Sequence, residues 1–478
     1  MSLKKDAISG FFWVFIDFIL VKGIFFFAML YLARLMGPKE FGLFGMIAVF
    51  LAIGNVLVDS GLSSSIIREK NVDETDLSTV FFSNISLSLL VYFFFFFTAP
   101  LIADFYHQVR LIFIIRVYCL IFIITAFSSI QIAILTRRMS FRKLTYLSIP
   151  SNLVGVCLGI YVGILGKGVW SIVVMYLSSQ LVFLMLIWYY SKWSPKFVFN
   201  LQKFKYHYNF GYKLMLSGIF DSVFKNIYNV LIGKYYPLKT LGYFERAKKI
   251  NEYPATTIAG VLAKVSYPLL SKITDDIYKL INYYSKMIRF SIFITAPLMM
   301  GLVVVAKPLF NILLGNEWSE AVFYFQIFSI ASIFYPIHAF SVNVIKAYGR
   351  SDMFLKLEII KKVILTLIIL LSFQFGVKGL AYGVVINSLM GLLVNTYFVN
   401  KVISYNLINL MLDVIPLFVI SLITALILYL NTKLIMHHND WTMLIITFAL
   451  GLVIYTLLNL TYKTSPIHYF ISIVRKKL

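Results

Sequence analysis

Charged side chains inside otherwise apolar stretches are the residues of this sequence with the most chemistry to offer. Asp221 and Lys225 are four positions apart, so a helix would place them on one face, where they can pair. Asp17 and Lys22 form a similar combination about 200 residues earlier, five apart and less well aligned. A third group is denser: Glu245, Arg246, Lys248, Lys249 and Glu252, followed by Lys264. On a helix Glu245 reaches Lys249 and Glu252 reaches Lys248, while Arg246 has no acid within reach on its own helix. Lys213, Asp59, Arg116 and Arg289 also fall in apolar runs. A charge at the centre of a bilayer costs about 2.5–3.5 kcal/mol on the insertion scale, so such a residue faces a partner or a water-filled cavity. Around Asp17, Asp221 and Glu245 seven bases (Lys22, Lys213, Lys225, Arg246, Lys248, Lys249, Lys264) stand against four acids (Asp17, Asp221, Glu245, Glu252). A cavity with that surplus suits an anion.

Lys22, Lys225, Arg246 and Lys249 are therefore expected to line a cationic substrate-binding cavity. Asp17, Asp59, Asp221 and Glu252 are expected either to bind a coupling ion, H+ or Na+, or to serve as ion-pair partners. The competing reading is that these charges are structural pairs, or snorkel to a membrane face. Snorkelling suits Lys213 and Lys264 at least as well as function does. No catalytic residue, metal or other cofactor is expected. Cys119 and Cys157 sit in apolar runs, the histidines have no zinc-type spacing, and His437-His438 reads as a solvated loop pair.

These residues need elements to position them, and composition says which. Only 13% of the chain is charged and 60% is hydrophobic, with a mean hydropathy of +0.86. A soluble domain carries roughly 25% charge. Half that cannot coat a soluble surface, so lipid is the solvent for much of the chain. A net charge of +23 would suggest nucleic acid in a soluble protein. Here most bases fall in short loops, where they set orientation, so the expected environment is membrane lipid and no nucleic acid.

A helix needs about 20 apolar residues to cross the hydrocarbon core. That ruler predicts an all-α polytopic membrane protein of about fourteen spans. They lie near 10–33, 41–66, 80–97, 111–135, 147–165, 169–190, 210–232, 241–268, 287–306, 320–343, 357–375, 380–398, 414–431 and 442–460. The first run follows two lysines but is too long for a signal peptide and lacks a small-residue cleavage site, so it reads as a retained helix. Bases such as Arg137, Arg138, Lys203, Lys205 and the tail Arg475–Lys477 favour one set of alternate loops, which predicts both termini on the cytoplasmic side. The longest loop is the basic stretch 191–209, leaving no room for a nucleotide-binding domain, and no Walker-type glycine loop is present. Tyr92–Phe97 reads as a lipid-facing helix end.

The chain also resembles itself at an offset of about 200 residues. Gly-Pro-Lys-Glu-Phe-Gly-Leu-Phe at 37–44 answers Tyr-Pro-Leu-Lys-Thr-Leu-Gly-Tyr-Phe at 236–244, and Ala-Pro-Leu-Ile at 99–102 answers Lys-Pro-Leu-Phe at 307–310. The turn at 164–173 answers 374–385. Each half holds six spans, an even number, so both face the same way, as in a parallel repeat about an axis along the membrane normal. The predicted organisation is an N-terminal six-helix lobe, 1–195, a C-terminal six-helix lobe, 196–402, and two further helices with a basic tail, 403–478. Two such lobes describe an alternating-access transporter, and one chain holding both is expected to act as a monomer.

The segments SGFFW at 9–13 and ARLMGPKEFGLFGMIAVFLAIGNVLVDSGLSSSII at 33–67 resemble the opening of Wzx-type polysaccharide exporters. The acidic DETDLSTVFF at 73–82 and TAPLIADFY at 98–106 fit the same group. It belongs to the multidrug/oligosaccharidyl-lipid/polysaccharide (MOP) flippase superfamily, in the branch of lipopolysaccharide, colanic-acid and teichuronic-acid exporters. The resemblance implies two six-helix lobes plus two helices. It implies flipping of an undecaprenyl-pyrophosphate-linked oligosaccharide across the bacterial inner membrane, with pathway glycosyltransferases and polymerase as partners. The pyrophosphate would supply the anion. One alternative is a multidrug/cation antiporter of the same superfamily, which the basic surplus disfavours. Another is a membrane polysaccharide polymerase or ligase, which the short outer loops disfavour.

Overall fold

The structure, a computed structural model, describes residues 3–69, 71–273, 276–434 and 439–467. The side chains of Asp17 and Lys264, the His437-His438 pair and the Arg475–Lys477 tail lie outside the described residues. Among the described residues every regular element is helical. In lipid no water satisfies the backbone, and a helix bonds its own N–H and C=O groups internally.

The chain forms two compact units, 1–242 and 243–478. The first contains α1 (Leu3–Asp59), α2 (Leu62–Arg68), α3 (Glu74–Tyr106), α4 (Leu111–Tyr118), α5 (Leu120–Arg137), α6 (Phe141–Ile164), α7 (Trp170–Tyr190) and α8 (Leu201–Tyr235). Helix α9 (Leu238–Lys272) begins at its end. The second contains most of α9, then α10 (Ile277–Val304), α11 (Ala306–Leu313), a 3-10 turn (Asn316–Trp318), α12 (Ser319–Ser332) and α13 (Tyr335–Ala347). It closes with α14 (Ser351–Phe373), α15 (Gly376–Ile403), α16 (Leu407–Leu434) and α17 (Asp440–Thr461). Helix α8 packs on α1, α2 and α3, so it belongs to the first compact unit although the sequence repeat starts a second lobe with it.

Ten described helical stretches are long and apolar enough to cross a membrane. One of them, Leu20–Asp59, is 40 residues long and is broken at Gly37 (φ 73°), a conformation glycine adopts without steric cost, with Pro38 next to it lacking an N–H. The separate spans expected near 10–33 and 41–66 meet at this break. The long helices outside the ten are α8, α9 and α14, each interrupted by charge; α14 alone carries Lys356, Glu358, Lys361 and Lys362. The expected fourteen counted these helices as spans, and apolarity alone does not include them.

Lipid gives helices no hydrophobic reason to associate, so close packing and buried polar contacts must hold them. Asn84 donates to Ser129 at 2.9 Å across α3 and α5, and Ser179 donates to Asn152 at 2.8 Å across α7 and α6. In the second unit Tyr284, Ile288, Ile292, Ile337 and Phe340 form a buried core. On α3, Phe93, Phe94 and Phe97 are exposed, Tyr92 and Phe96 half-buried and Phe95 buried, so half of the Tyr92–Phe97 run is outward-facing and one ring packs inward.

The matched turns of the repeat meet each other within the first unit. A Cβ on Gly42 would stand 2.0 Å from the Leu238 carbonyl oxygen, and one on Gly242 would stand 1.9 Å from the Pro38 carbonyl oxygen. Each turn offers the other a glycine, and such reciprocity is the signature of a two-fold relation.

Candidate functional site

Helices α1, α8 and α9 carry the predicted charges. Lys22 is exposed on α1, and Asp59 is exposed at its end. On α8 the Lys225 ammonium lies 2.6 Å from the Asp221 carboxylate, with side chains 71% and 47% exposed. Helix α8 is not one of the ten apolar stretches, and an ion pair on a helix within lipid would need water, because its desolvation would otherwise go uncompensated.

The orientation of α9 is set by the face it buries. Phe244 packs edge-on against Phe328 of α12, with ring centroids 4.9 Å apart. Asn251 donates to Ser329 at 2.8 Å and accepts from Ser332 at 2.5 Å. Tyr243 donates to the Glu317 carbonyl at 3.0 Å. With that face fixed against α12, Glu245 and Arg246 are buried and Lys249 is exposed. The expected Glu252–Lys248 contact is present at 3.9 Å, and Glu252 lies nearer still to Lys249, at 3.4 Å. One carboxylate thus faces two ammonium groups. Lys22, Lys225 and Lys249 share an exposed character that Arg246 does not.

Two further clusters were not singled out from the sequence. The first lies at the end of unit one that carries the loop before α3. Asp73 caps α3 by accepting from the Asp76 N–H at 2.8 Å, and Asp76 accepts from the Asp73 N–H at 3.0 Å, a reciprocal capping box. Lys203 of α8 lies 2.5 Å from Asp73 and 3.1 Å from Asp76. Its ammonium holds the Asp73 carboxyl down to about 2. The fully buried His207 stands between Asp76, 3.4 Å from Nε2, and the Ser65 hydroxyl, 2.8 Å from Nδ1. The D-x-x-D spacing at 73–76 could have signalled the cap; nothing local signals the partners on α8.

The second is in unit two. Asp413 of α16 is buried and accepts from Arg289 at 2.7 Å, Ser285 at 2.5 Å and Tyr405 at 2.6 Å. The intramembrane Arg289 noted in the sequence therefore has a partner 124 residues away.

A family profile described as a polysaccharide biosynthesis protein matches residues 31–323. The chain is 24% identical over 461 residues to the succinoglycan biosynthesis transport protein ExoT of Rhizobium meliloti (strain 1021), covering 93% of this chain and 91% of the relative. It is 24% identical over 405 residues to the lipopolysaccharide biosynthesis protein WzxC of Escherichia coli (strain K12), covering 84% and 82%. In fold it is similar to the lipid II flippase MurJ in an inward closed conformation, with a TM-score of 0.73 at 18% identity, covering 93% of this chain and 99% of the other.

Proposed function

The chain belongs to the polysaccharide biosynthesis protein family, and on that premise we propose that it is a flippase for a lipid-linked oligosaccharide. Its role is transport and not bond-making. The observation that carries the reading is exposed charge with a basic surplus on helices of a membrane protein. Among the described exposed or half-buried predicted groups of α1, α8 and α9, the bases Lys22, Lys213, Lys225, Lys248 and Lys249 outnumber the acids Asp59, Asp221 and Glu252. Such a surface suits the diphosphate of a polyprenyl-linked glycan and disfavours a cationic drug.

In this reading the two parallel repeats alternate access to one site. The membrane is the bacterial inner membrane, and both termini are cytoplasmic. The span count is fourteen when α1 contributes two segments at Gly37 and α8, α9 and α14 cross as charged helices. A helix lining a water-filled path tolerates such charge. In this reading Asp59, Asp221 and Glu252 exchange H+ or Na+, the last two as Lys225 and Lys249 beside them engage substrate. Moving one charge through 100 mV supplies about 2.3 kcal/mol, enough to bias such a cycle. The chain works as a monomer beside the glycosyltransferases and polymerase that make and consume its substrate.

The test is in cells lacking the gene. Loss of surface polysaccharide with build-up of the lipid-linked unit on the inner leaflet is the expected result. Unchanged pools would sink the reading, and flipped but unpolymerised units would point to a polymerase.

A further inference from the structure

Away from the charges on the spanning helices, unit one holds a cavity of about 350 Å³ lined by Ser65, Arg68, Glu69, Tyr206 and Phe210. That volume falls at the lower end of the roughly 300–1,000 Å³ of small-molecule sites. We propose that it is a docking subsite for a neutral pyranose ring, where the glycan head of the substrate is held before it enters the cavity. The proposal rests on the flippase reading and adds a second contact region to it.

The chemistry of the walls decides the ligand class. Arg68 stands over the Phe210 ring, its guanidinium carbon 4.6 Å from the centroid. A guanidinium carries five N–H donors, so a cation–π contact of this kind leaves donors for a ligand hydroxyl. Glu69 accepts from the Tyr206 hydroxyl at 2.6 Å, which fixes a carboxylate next to a phenol. Tyr206 is 61% exposed, an aromatic face available to the C–H side of a sugar. One base and one acid leave the pocket without net charge. A phosphate would meet Arg68 but also Glu69, whereas a ring of hydroxyl groups uses donors and acceptors together.

The floor is built from buried groups that hold one another. His207 stands with Nε2 3.4 Å from an Asp76 oxygen. Its Nδ1 shares a hydrogen bond with the Ser65 hydroxyl at 2.8 Å. A hydroxyl both donates and accepts, so Ser65 Oγ keeps hydrogen-bonding capacity for a ligand hydroxyl. The backbone behind this floor is clamped by a close crossing: a Cβ on Gly211 of α8 would lie 2.2 Å from the Ser60 carbonyl oxygen. Groups held in place before the ligand arrives lose little entropy on binding it.

The full-length protein in lipid nanodiscs provides the test, with methyl glucopyranoside, methyl galactopyranoside and methyl mannopyranoside as probes in saturation-transfer NMR. At least one glycoside should bind. Glu69→Gln and Phe210→Leu should each weaken that binding about tenfold, the scale of losing one charge-assisted or stacking contact. Their thermal unfolding temperatures should stay at the wild-type value, and inorganic pyrophosphate should not displace the glycoside. Absence of any glycoside signal, undiminished binding by both variants, or displacement by pyrophosphate overturns the subsite. None of these touches the flippase reading, which stands or falls on the inner-leaflet pool in cells lacking the gene.

Discussion

Asp413 and Asp221 both face a cation on a membrane helix, yet their surroundings are opposite. Asp413 is 6% exposed at its side chain and is filled by donors from Ser285, Arg289 and Tyr405. Asp221 pairs with Lys225 at 2.6 Å, and the two side chains are 47% and 71% exposed. A buried carboxylate surrounded by donors is a fixed joint, because breaking it strands a charge. An exposed pair contributes at most about 1 kcal/mol. It can open and exchange partners at little cost, as a transport site must. The difference separates charges that hold helices together from charges that meet cargo.

The comparison breaks first at Arg289. Arg289→Ala should destabilise unit two towards the lower end of about 3–5 kcal/mol, since Asp413 stays buried while Arg289 itself is 41% exposed. Thermal unfolding in detergent would read it, and an unshifted transition would remove the fixed-joint role. Next come the reciprocal turns. Gly42→Ala and Gly242→Ala each force a Cβ within about 2 Å of a carbonyl oxygen and should cost about 1–3 kcal/mol apiece. A cost at only one of the two would contradict the two-fold contact.

Lys225→Ala and Lys249→Ala should leave stability within about 1 kcal/mol of wild type and abolish polysaccharide export. Arg246→Ala should abolish export too, but with loss of stability, because Arg246 is buried. Normal export by Lys225→Ala and Lys249→Ala with wild-type abundance would end the cavity proposal. The smallest effect is at Asp73. Its folded pKa, held at about 2 by Lys203, lies below the unfolded value of about 3.9. The contact therefore contributes fully above the unfolded pKa and fades as pH falls through about 2. Asp73→Asn should show the same small unfolding shift at pH 5, 6.5 and 8. A shift that varies across that window would place the titration elsewhere.

Much of the site was legible before the fold. The four-residue spacing of Asp221 and Lys225 announces a pair, and that pair is present. Glu252 was expected beside Lys248 and sits between Lys248 and Lys249, because a helix places i+3 and i+4 on the same side. Arg246 and Lys249 were both expected to line the cavity, and burial separates them. His207, in a basic linker with no spacing to mark it, gave no signal at all.

The sequence by itself determined that lipid is the solvent, where most of the membrane helices run, and which family the chain belongs to. Each of these is local: hydropathy over about 20 residues, or one motif. Tertiary structure alone decided which charges stay exposed. The face of α9 that Asn251 pins to α12 buries Arg246 and leaves Lys249 outside. It also brought His207 to Asp76 and Arg289 to Asp413, contacts across more than a hundred residues. No periodicity encodes such pairs, because they arise only when distant helices are packed side by side.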